Sequence, residues 1–313
     1  TPIDVRYAVY EMAMNAKGEI EALAKIVRPD IAVITNIGTA HIGRLGGRDE
    51  IAREKKRICS QFNGNQTLLV YEDDDYRAEL TRDVYGTVTP FGPKVQRAQI
   101  VEENEAGTRI ELPSCAVRVP VAGTHNALNA LVALRIAEIL EVDVCAVDDP
   151  FCSLVVPDGR TQMIRLDRGG TVLHDAYNAN PDSMFASFVV VRALRGERDG
   201  AVRSVYVLGD MFELGDWSAE SHQRVLRAAL TERPDQLYLV GDNFRAAWER
   251  EAEGPDRSHF ADVEVRVFNT VDGLIAGAGA RFEGSEVVLL KGSRSVGLER
   301  FVPVLRGEAV RGV

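Results

Sequence analysis

A chain of 313 residues is long enough for two domains, each burying its own core. Hydrophobic residues make up 45% and charged residues 27%, an ordinary balance for a soluble globular protein. The formal charge of -10 argues against a general nucleic-acid or anionic-membrane surface, so anionic ligands must be met by local Lys, Arg, metal ions and helix N-termini.

In chain order, short apolar runs alternate with helix-period segments. Val5–Tyr10 reads as a strand. Ile20, Leu23, Ala24 and Val27 then share one helical face, and Pro29 closes that helix. Ile31–Thr35 is a second buried strand, Asp49–Phe62 a helix and Thr67–Tyr71 a third strand. From about Gly86 to Pro120 the text becomes β-rich with turn residues, which predicts a small antiparallel extension. A helix marked by Ala133, Ile136, Ala137 and Leu140 begins near Thr124–Asn126. Val156-Pro157-Asp158-Gly159-Arg160 has turn chemistry and reads as a hinge, dividing domains 1–157 and 158–313. Beyond it, strands at Thr171–His174, Ser204–Leu208, Gln236–Val240 and Val287–Leu290 interleave with helices near 181–195, 217–230, 244–251 and 296–305. This alternation predicts an α/β fold twice over, with mostly parallel sheets.

Cysteines stand at positions 59, 115, 145 and 152, without a C-x-x-C pair. Four buried thiols in a reducing cytosol are expected rather than a disulfide frame. No run is long enough to cross a bilayer and no secretory signal is read, so no membrane insertion is expected.

Ligands of parallel sheets gather beyond the carboxyl ends of the strands. Glu11 ends the first expected strand, and Asn36 to His41 follow the second. A carboxylate and an imidazole at such ends can bind Mg²⁺ directly or through water. By itself a strand-end Glu is more often a loop cap or surface charge, and a lone His is usually a hydrogen-bonded structural residue. No G-x-x-x-x-G-K-[ST] or G-x-G-x-x-G loop occurs to cradle phosphates.

Glu11-Met12-Ala13-Met14-Asn15-Ala16-Lys17-Gly18-Glu19-Ile20, followed by Asn36-Ile37-Gly38-Thr39-Ala40-His41-Ile42, resembles the E-M-G-x-N-x-x-G-E-I and histidine segments of the Mur ligases. The resemblance runs from Val9 to Leu305. It implies a partial central parallel-sheet ATPase domain followed by a Rossmann-like C-terminal α/β domain. It also implies metal-binding roles for Glu11 and His41, and a carbamylated lysine as a further oxygen ligand. Ala52-Arg53-Glu54-Lys55-Lys56-Arg57-Ile58 resembles the segment of that lysine, with Lys55 favoured over Lys56.

Gly123-Thr124-His125-Asn126-Ala127-Leu128-Asn129 resembles the stretch that holds adenine, which implies Asn126 and Asn129 as nucleotide contacts. An Asn side chain offers the donor and the acceptor that an adenine edge requires. Arg160 resembles the arginine that reaches ATP phosphate, and Asp175 the aspartate that meets the nucleotide. Three further segments, around Asp175–Met184, Leu208–Gly215 and Leu290–Ser295, resemble the members that add D-alanyl-D-alanine to a UDP-MurNAc-tripeptide. They imply substrate contacts from Asn178, Asn180, Lys291, Ser293 and Arg294. As a plain local signal, Asn180 and Pro181 also read as helix N-cap and N1.

The resemblance therefore implies a cytoplasmic, monomeric amide ligase using ATP and Mg²⁺, with Lys55, His41 and Arg160 catalytic. Its partners would be UDP-MurNAc-tripeptide and D-Ala-D-Ala, with no nucleic acid. Ala13, Ala16 and Gly43 depart from the usual Gly, His and Glu of the family. The family's N-terminal substrate domain and P-loop are expected to precede Thr1, so activity of residues 1–313 alone is not expected. A Mur-type ligase for another amino acid and a non-catalytic nucleotide- or precursor-binding protein are the alternatives.

Overall fold

The computed structural model describes residues 4–196, 202–278 and 282–308. They form two compact units that divide between Gln96 and Arg97. The first unit is built on a three-stranded parallel sheet, β1 (Ile31–Ile34), β2 (Thr67–Tyr71) and β3 (Thr87–Phe91), in that order. Around it stand helices α1 (Glu19–Val27), α2 (Ile42–Leu45), α3 (Arg48–Lys56) and α4 (Arg77–Thr81). Helix α1 ends where Arg28 turns left-handed at φ 49 and Pro29 follows. Its N-terminus is fastened by the buried Glu54 of α3, whose Oε1 accepts from the N–H groups of Gly18 and Ile20. A carboxylate suits that place because the first N–H groups of a helix lack internal acceptors.

The expected strand Val5–Tyr10 is not formed. This stretch pairs with none of the described strands, and Val9 is 98% exposed. A short apolar run becomes a strand only where a sheet pairs with it, and among the described strands β1 remains the edge of its sheet. The antiparallel extension also starts later than expected. Strand β3 lies parallel to β2, which leaves Gly86 to Phe91 in the first unit.

The second unit opens with that extension, β4 (Gln99–Asn104), β5 (Gly107–Glu111) and β6 (Ala116–Val119), an antiparallel sheet. Helix α5 (Thr124–Ile139) covers it, packing Ala127, Ala130, Leu131 and Leu134 against Ile110, Val117 and Val119. A disulfide joins Cys115, before β6, to Cys145, beyond α5. The expectation of four buried thiols is corrected: two are bonded, Cys59 is half-buried and Cys152 is exposed. Cysteine spacing along the chain could not show that α5 folds its far end back onto the β5–β6 turn.

A six-stranded sheet follows, in the order β11-β10-β9-β12-β8-β7. Its strands are β7 (Gln162–Arg165), β8 (Thr171–His174), β9 (Ser204–Gly209), β10 (Gln236–Val240), β11 (Glu264–Phe268) and β12 (Val287–Lys291). All pairs are parallel except β7 with β8. Strands β8, β9, β10 and β12 are buried at every residue, as expected of a parallel sheet covered on both faces. Helices α6 (Pro181–Gly196), α7 (Ser218–Thr231) and α8 (Asp242–Ala252) succeed β8, β9 and β10 in turn, and Phe188 of α6 stacks on Tyr206 of β9. Val205, Val207, Val288 and Leu290 form a separate core with Leu274 of α9 (Val271–Ala278), Leu298 and Phe301.

Strands β7 and β11 and helix α9 are elements the sequence pattern did not mark. The helix expected at 296–305 is instead broken into short 3₁₀ turns before α10 (Val302–Leu305), because Gly297 takes φ 76. The compact units also divide at a different place from the turn at Val156–Arg160. Residues 97–157 join the second unit, where Glu105 beyond β4 binds Arg165 of β7 and the hydroxyl of Thr171 on β8. Among the described residues, no helix is long and apolar enough to cross a membrane.

Candidate active site

In the first unit, the loop after β1 is held by three side chains. Lys55 Nζ donates to the Asn36 carbonyl at 2.8 Å, and Arg48 donates to the Ile37 carbonyl at 2.6 Å. The Ile37 N–H in turn donates to Asp74 at 2.9 Å. Burial lowers the pKa of the Lys55 amine, while the charge of Asp74 opposes the shift. The loop ends on His41, which precedes α2 with a left-handed φ of 62. Non-glycine residues seldom take that conformation, and here it turns the chain from the loop into α2.

Lys56 is committed elsewhere: its ammonium donates to the carbonyls of Glu79 and Arg82 at the end of α4. Of the adjacent lysines, Lys55 is therefore the one turned to the strand-end loop. Glu11 is exposed. The loop following it is gathered by Glu19, which accepts from the N–H groups of Asn15 and Ala16. Those bonds hold the Glu19 carboxyl below its ordinary range, with Arg44 and His41 adding to the effect.

The second unit places its expected residues around the carboxyl end of β12. Strand β12 lies between β8 and β9, yet the chain after it packs into the core with α9. Where neighbouring strands send their connections to opposite sides, a crevice opens at the strand ends. Asp175 follows β8 there. It accepts from the Thr161 N–H at 2.9 Å, the Ser187 hydroxyl at 2.7 Å and Lys291 Nζ at 2.7 Å. Lys291, expected to meet an anionic peptide, is only 2% exposed and also donates to the carbonyls of Asp175 and Asn178. It holds the Asp175 loop instead of facing solvent.

Ser293 is likewise buried and internally bonded, donating its N–H to the Asp210 carbonyl and accepting from the Phe212 N–H. The glycine between them is required, since a Cβ on Gly292 would come within 2.9 Å of Gly209 Cα. Asn180 caps α6 by accepting from the Ser183 N–H, as its local pattern foretold. The Asn178 side chain accepts from the Ala179 N–H but is exposed. Arg160 and Arg294 remain exposed, and both guanidiniums lie against the ring of Tyr177.

Asn126 donates from its amide to the Ala122 carbonyl, and Asn129 is exposed one turn further along α5. Gly123 before them has φ 112, and a Cβ there would strike the His125 ring at 2.6 Å. Burial lowers the His125 pKa, while the charge of Asp175 raises it and that of Lys291 lowers it. The start of α5 is thus an electrostatic neighbour of the Asp175–Lys291 pair. Glu103 of β4 also reaches this helix start, accepting from the Thr124 hydroxyl at 3.4 Å. Its pKa is raised chiefly by burial.

Sequence reasoning did not single out Arg48, Asp74, Glu103 or Tyr177. The first three carry no local signal, being ordinary charged residues far along the chain from what they hold. Tyr177 lay in plain view between Asp175 and Asn178, and its aromatic ring between two polar residues was a usable sign.

The family model described as "Mur ligase middle domain" matches residues 2–137, and "Mur ligase, glutamate ligase domain" matches residues 159–294. The chain is 37% identical over 304 residues to the UDP-N-acetylmuramoyl-tripeptide–D-alanyl-D-alanine ligase of Treponema pallidum, covering 96% of this chain and 63% of the relative. It is 29% identical to the Bacillus subtilis ligase of the same name, covering 96% and 64%. A crystal structure of MurF from Acinetobacter baumannii superposes with a TM-score of 0.78 at 28% identity, covering 94% of this chain and 63% of that one. MurF ligase from Thermotoga maritima in complex with ADP has the same fold, with a TM-score of 0.75 at 24% identity, covering 95% and 66%. The chain therefore spans somewhat less than two thirds of the length of these relatives.

Proposed function

We propose that this chain, which belongs to the Mur ligase family, forms part of an ATP-dependent ligase that joins D-Ala-D-Ala to UDP-MurNAc-tripeptide. The observation that carries the proposal is the strand-end assembly of the second unit. Asp175, clamped by Lys291, lies beside the start of α5 and is followed by Tyr177, whose ring carries Arg160. An adenine edge would be met by Asn126 and Asn129, and phosphate oxygens by Arg160, whose guanidinium stays charged and binds oxygens in a fork. We place the division between central and C-terminal domains at 157/158, between the two family matches.

In the reaction, the terminal carboxylate of the tripeptide attacks the γ-phosphorus of ATP, releasing ADP and giving an acyl phosphate. The amine of D-Ala-D-Ala attacks the acyl carbon, a tetrahedral intermediate collapses and phosphate leaves. Arg160 stabilises negative charge on the transferring oxygens. Exposed Arg294 and Asn178 are the substrate contacts this reading retains, with Lys291, Ser293 and Asn180 holding the loops that present them.

Mg²⁺ would be held by Glu11 and His41, with Lys55 contributing oxygen as a carbamate, and would neutralise clustered phosphate oxygens. Carboxylate, imidazole and carbamate are donors a hard cation accepts. Among the described residues no three His, Cys, Asp or Glu side chains gather as a ligand group, so Glu11 and His41 would be completed by water, phosphate oxygens or the carbamate. Lys55 suits the carbamate, because only a neutral amine reacts with CO₂ and burial disfavours its charged form. Such a ligase works in the cytoplasm as a monomer, where ATP and the nucleotide-linked precursor are found and where thiols are kept reduced, so the Cys115–Cys145 bond would belong to the oxidised protein.

The experiment is incubation of the complete native protein with ATP, UDP-MurNAc-tripeptide and D-Ala-D-Ala, following pentapeptide by chromatography and phosphate release. A panel of single amino acids and other dipeptides belongs in parallel. Pentapeptide formed only with D-Ala-D-Ala supports the proposal, whereas a different preferred amine, or ATP binding without turnover, refutes it. Residues 1–313 assayed alone are expected to be inactive.

A further inference from the structure

Tyr177 is shared by two arginines from different loops. The guanidinium carbon of Arg160, which precedes β7, lies 4.1 Å from the ring centroid, and that of Arg294, which follows β12, lies 5.2 Å from it. Neither guanidinium forms an ion pair with a carboxylate among the described residues, and both are exposed. Two like charges drawn to one ring repel each other, and the negative face of the ring offsets part of that cost. An oxyanion bridging them would offset the rest, because a guanidinium can give two parallel N–H bonds to one phosphate or carboxylate.

The backbone that carries the ring is fixed from both sides. The Tyr177 N–H donates to the Gly159 carbonyl at 2.9 Å, tying it to the segment that carries Arg160. Lys291 bonds the carbonyls of Asp175 and Asn178 on either side of it, tying it to the strand whose following loop carries Arg294. Thr161, next to Arg160, is held at φ 50 while its N–H donates to Asp175. A β-branched residue in that conformation is strained by roughly 1–3 kcal/mol, a cost the surrounding bonds must offset.

We propose that Tyr177 is a positioning residue that makes Arg160 and Arg294 a single clamp for an oxyanion, a phosphoryl or carboxylate group. Nucleotide phosphate and anionic peptide are then not read by independent arginines. Removing the ring uncouples them. The choice between the two sources of oxyanion rests on the ligase reading, whereas the clamp itself does not.

The test has two arms. In the first, inorganic tripolyphosphate is titrated into residues 1–313 and followed by calorimetry. Tyr177→Leu should bind about ten-fold more weakly and Tyr177→Phe should restore binding, because phenylalanine keeps the ring face. Arg160→Gln and Arg294→Gln should be non-additive with Tyr177 present and additive in the Tyr177→Leu background. Equal binding by the wild type and Tyr177→Leu, or additivity in both backgrounds, overturns the clamp.

In the second arm, the complete ligase is assayed for KM and kcat. Tyr177→Leu should raise KM more than it lowers kcat. A rise for ATP identifies a phosphoryl oxygen as the ligand, and a rise for the peptide substrate a carboxylate. No change in either KM overturns the clamp as a device of the reaction. Tyrosine-dependent tripolyphosphate binding in a protein without ligase activity would keep the clamp and refute the ligase reading.

Discussion

The buried ammonium of Lys291 stands 2.7 Å from the carboxylate of Asp175, joining the ends of β12 and β8 inside the second unit. The pair has few unmet bonds, since the lysine also reaches two carbonyls and the carboxylate takes a hydroxyl and an N–H. Removing one partner would strand the other. Lys291→Met should therefore cost about 3–5 kcal/mol of stability by urea denaturation. Pairing it with Asp175→Asn should recover part of that loss, and an unchanged midpoint for Lys291→Met would show that the pair contributes no net stability.

The adjacent lysines of α3 should separate function from stability. Lys55→Ala is expected to abolish more than about 99% of ligase turnover, a loss in the range of a missing electrostatic stabiliser. Lys56→Ala removes the donor to two carbonyls at the end of α4 and should cost about 1 kcal/mol while sparing turnover. Turnover assays and melting curves on both variants check this, and the reverse pattern would move the reactive amine to Lys56.

Acidification should destabilise the second unit before its carboxylates titrate. His222 is fully buried; its Nε2 accepts from the Met211 N–H and its Nδ1 lies 2.8 Å from the Ser218 carbonyl. Burial lowers its pKa from 6.5, with the Ser218 carbonyl and Asp210 opposing and Arg250 assisting. Protonation would turn a donor toward the Met211 N–H. Because the folded pKa lies below the unfolded one, the unfolded chain binds the extra proton first. This stability is present above the ordinary histidine value and is lost as pH falls through the folded value. His125 and His174 shift the same way, also chiefly through burial. Denaturation midpoints should fall between about pH 7 and about pH 5, and His222→Gln should flatten the slope, one pKa unit being worth about 1.4 kcal/mol. A flat wild-type profile would contradict it.

The disulfide closes a loop with a sequence separation of 30, for which chain-entropy arguments give about 3–4 kcal/mol. A non-reducing peptide map should contain a linked Cys115–Cys145 peptide, with Cys59 and Cys152 alkylated. Reduction should lower Tm without altering the secondary-structure spectrum at room temperature. Recovery of alkylated Cys115 and Cys145 from the oxidised protein would rule the bond out.

Much of the second unit was legible because its central strands are buried on both faces. Val287–Leu290 and Gln236–Val240 show their identity as continuous apolar runs, independent of what lies beside them. Glu264–Phe268, half-buried on an edge and charged at alternate places, has no such run. Val5–Tyr10 shows the opposite error, an apolar run that pairs with none of the described strands. Among the candidate site residues, Asn180 was legible as a helix cap because a cap and its partner lie three residues apart.

The sequence by itself determined the alternating architecture, the family and the order of the residues proposed for chemistry. These depend on local periodicity and on motifs contained in single loops. Only the tertiary structure decided which of those residues face solvent. It buried Lys291 and Ser293, left Arg160 and Arg294 exposed on Tyr177, and gave Lys56 a structural task that Lys55 does not share. The physical reason is that a charged side chain's role depends on what meets its charge. Asp175 and Lys291 are separated by 116 residues along the chain and meet only because β8 and β12 are neighbours in the sheet.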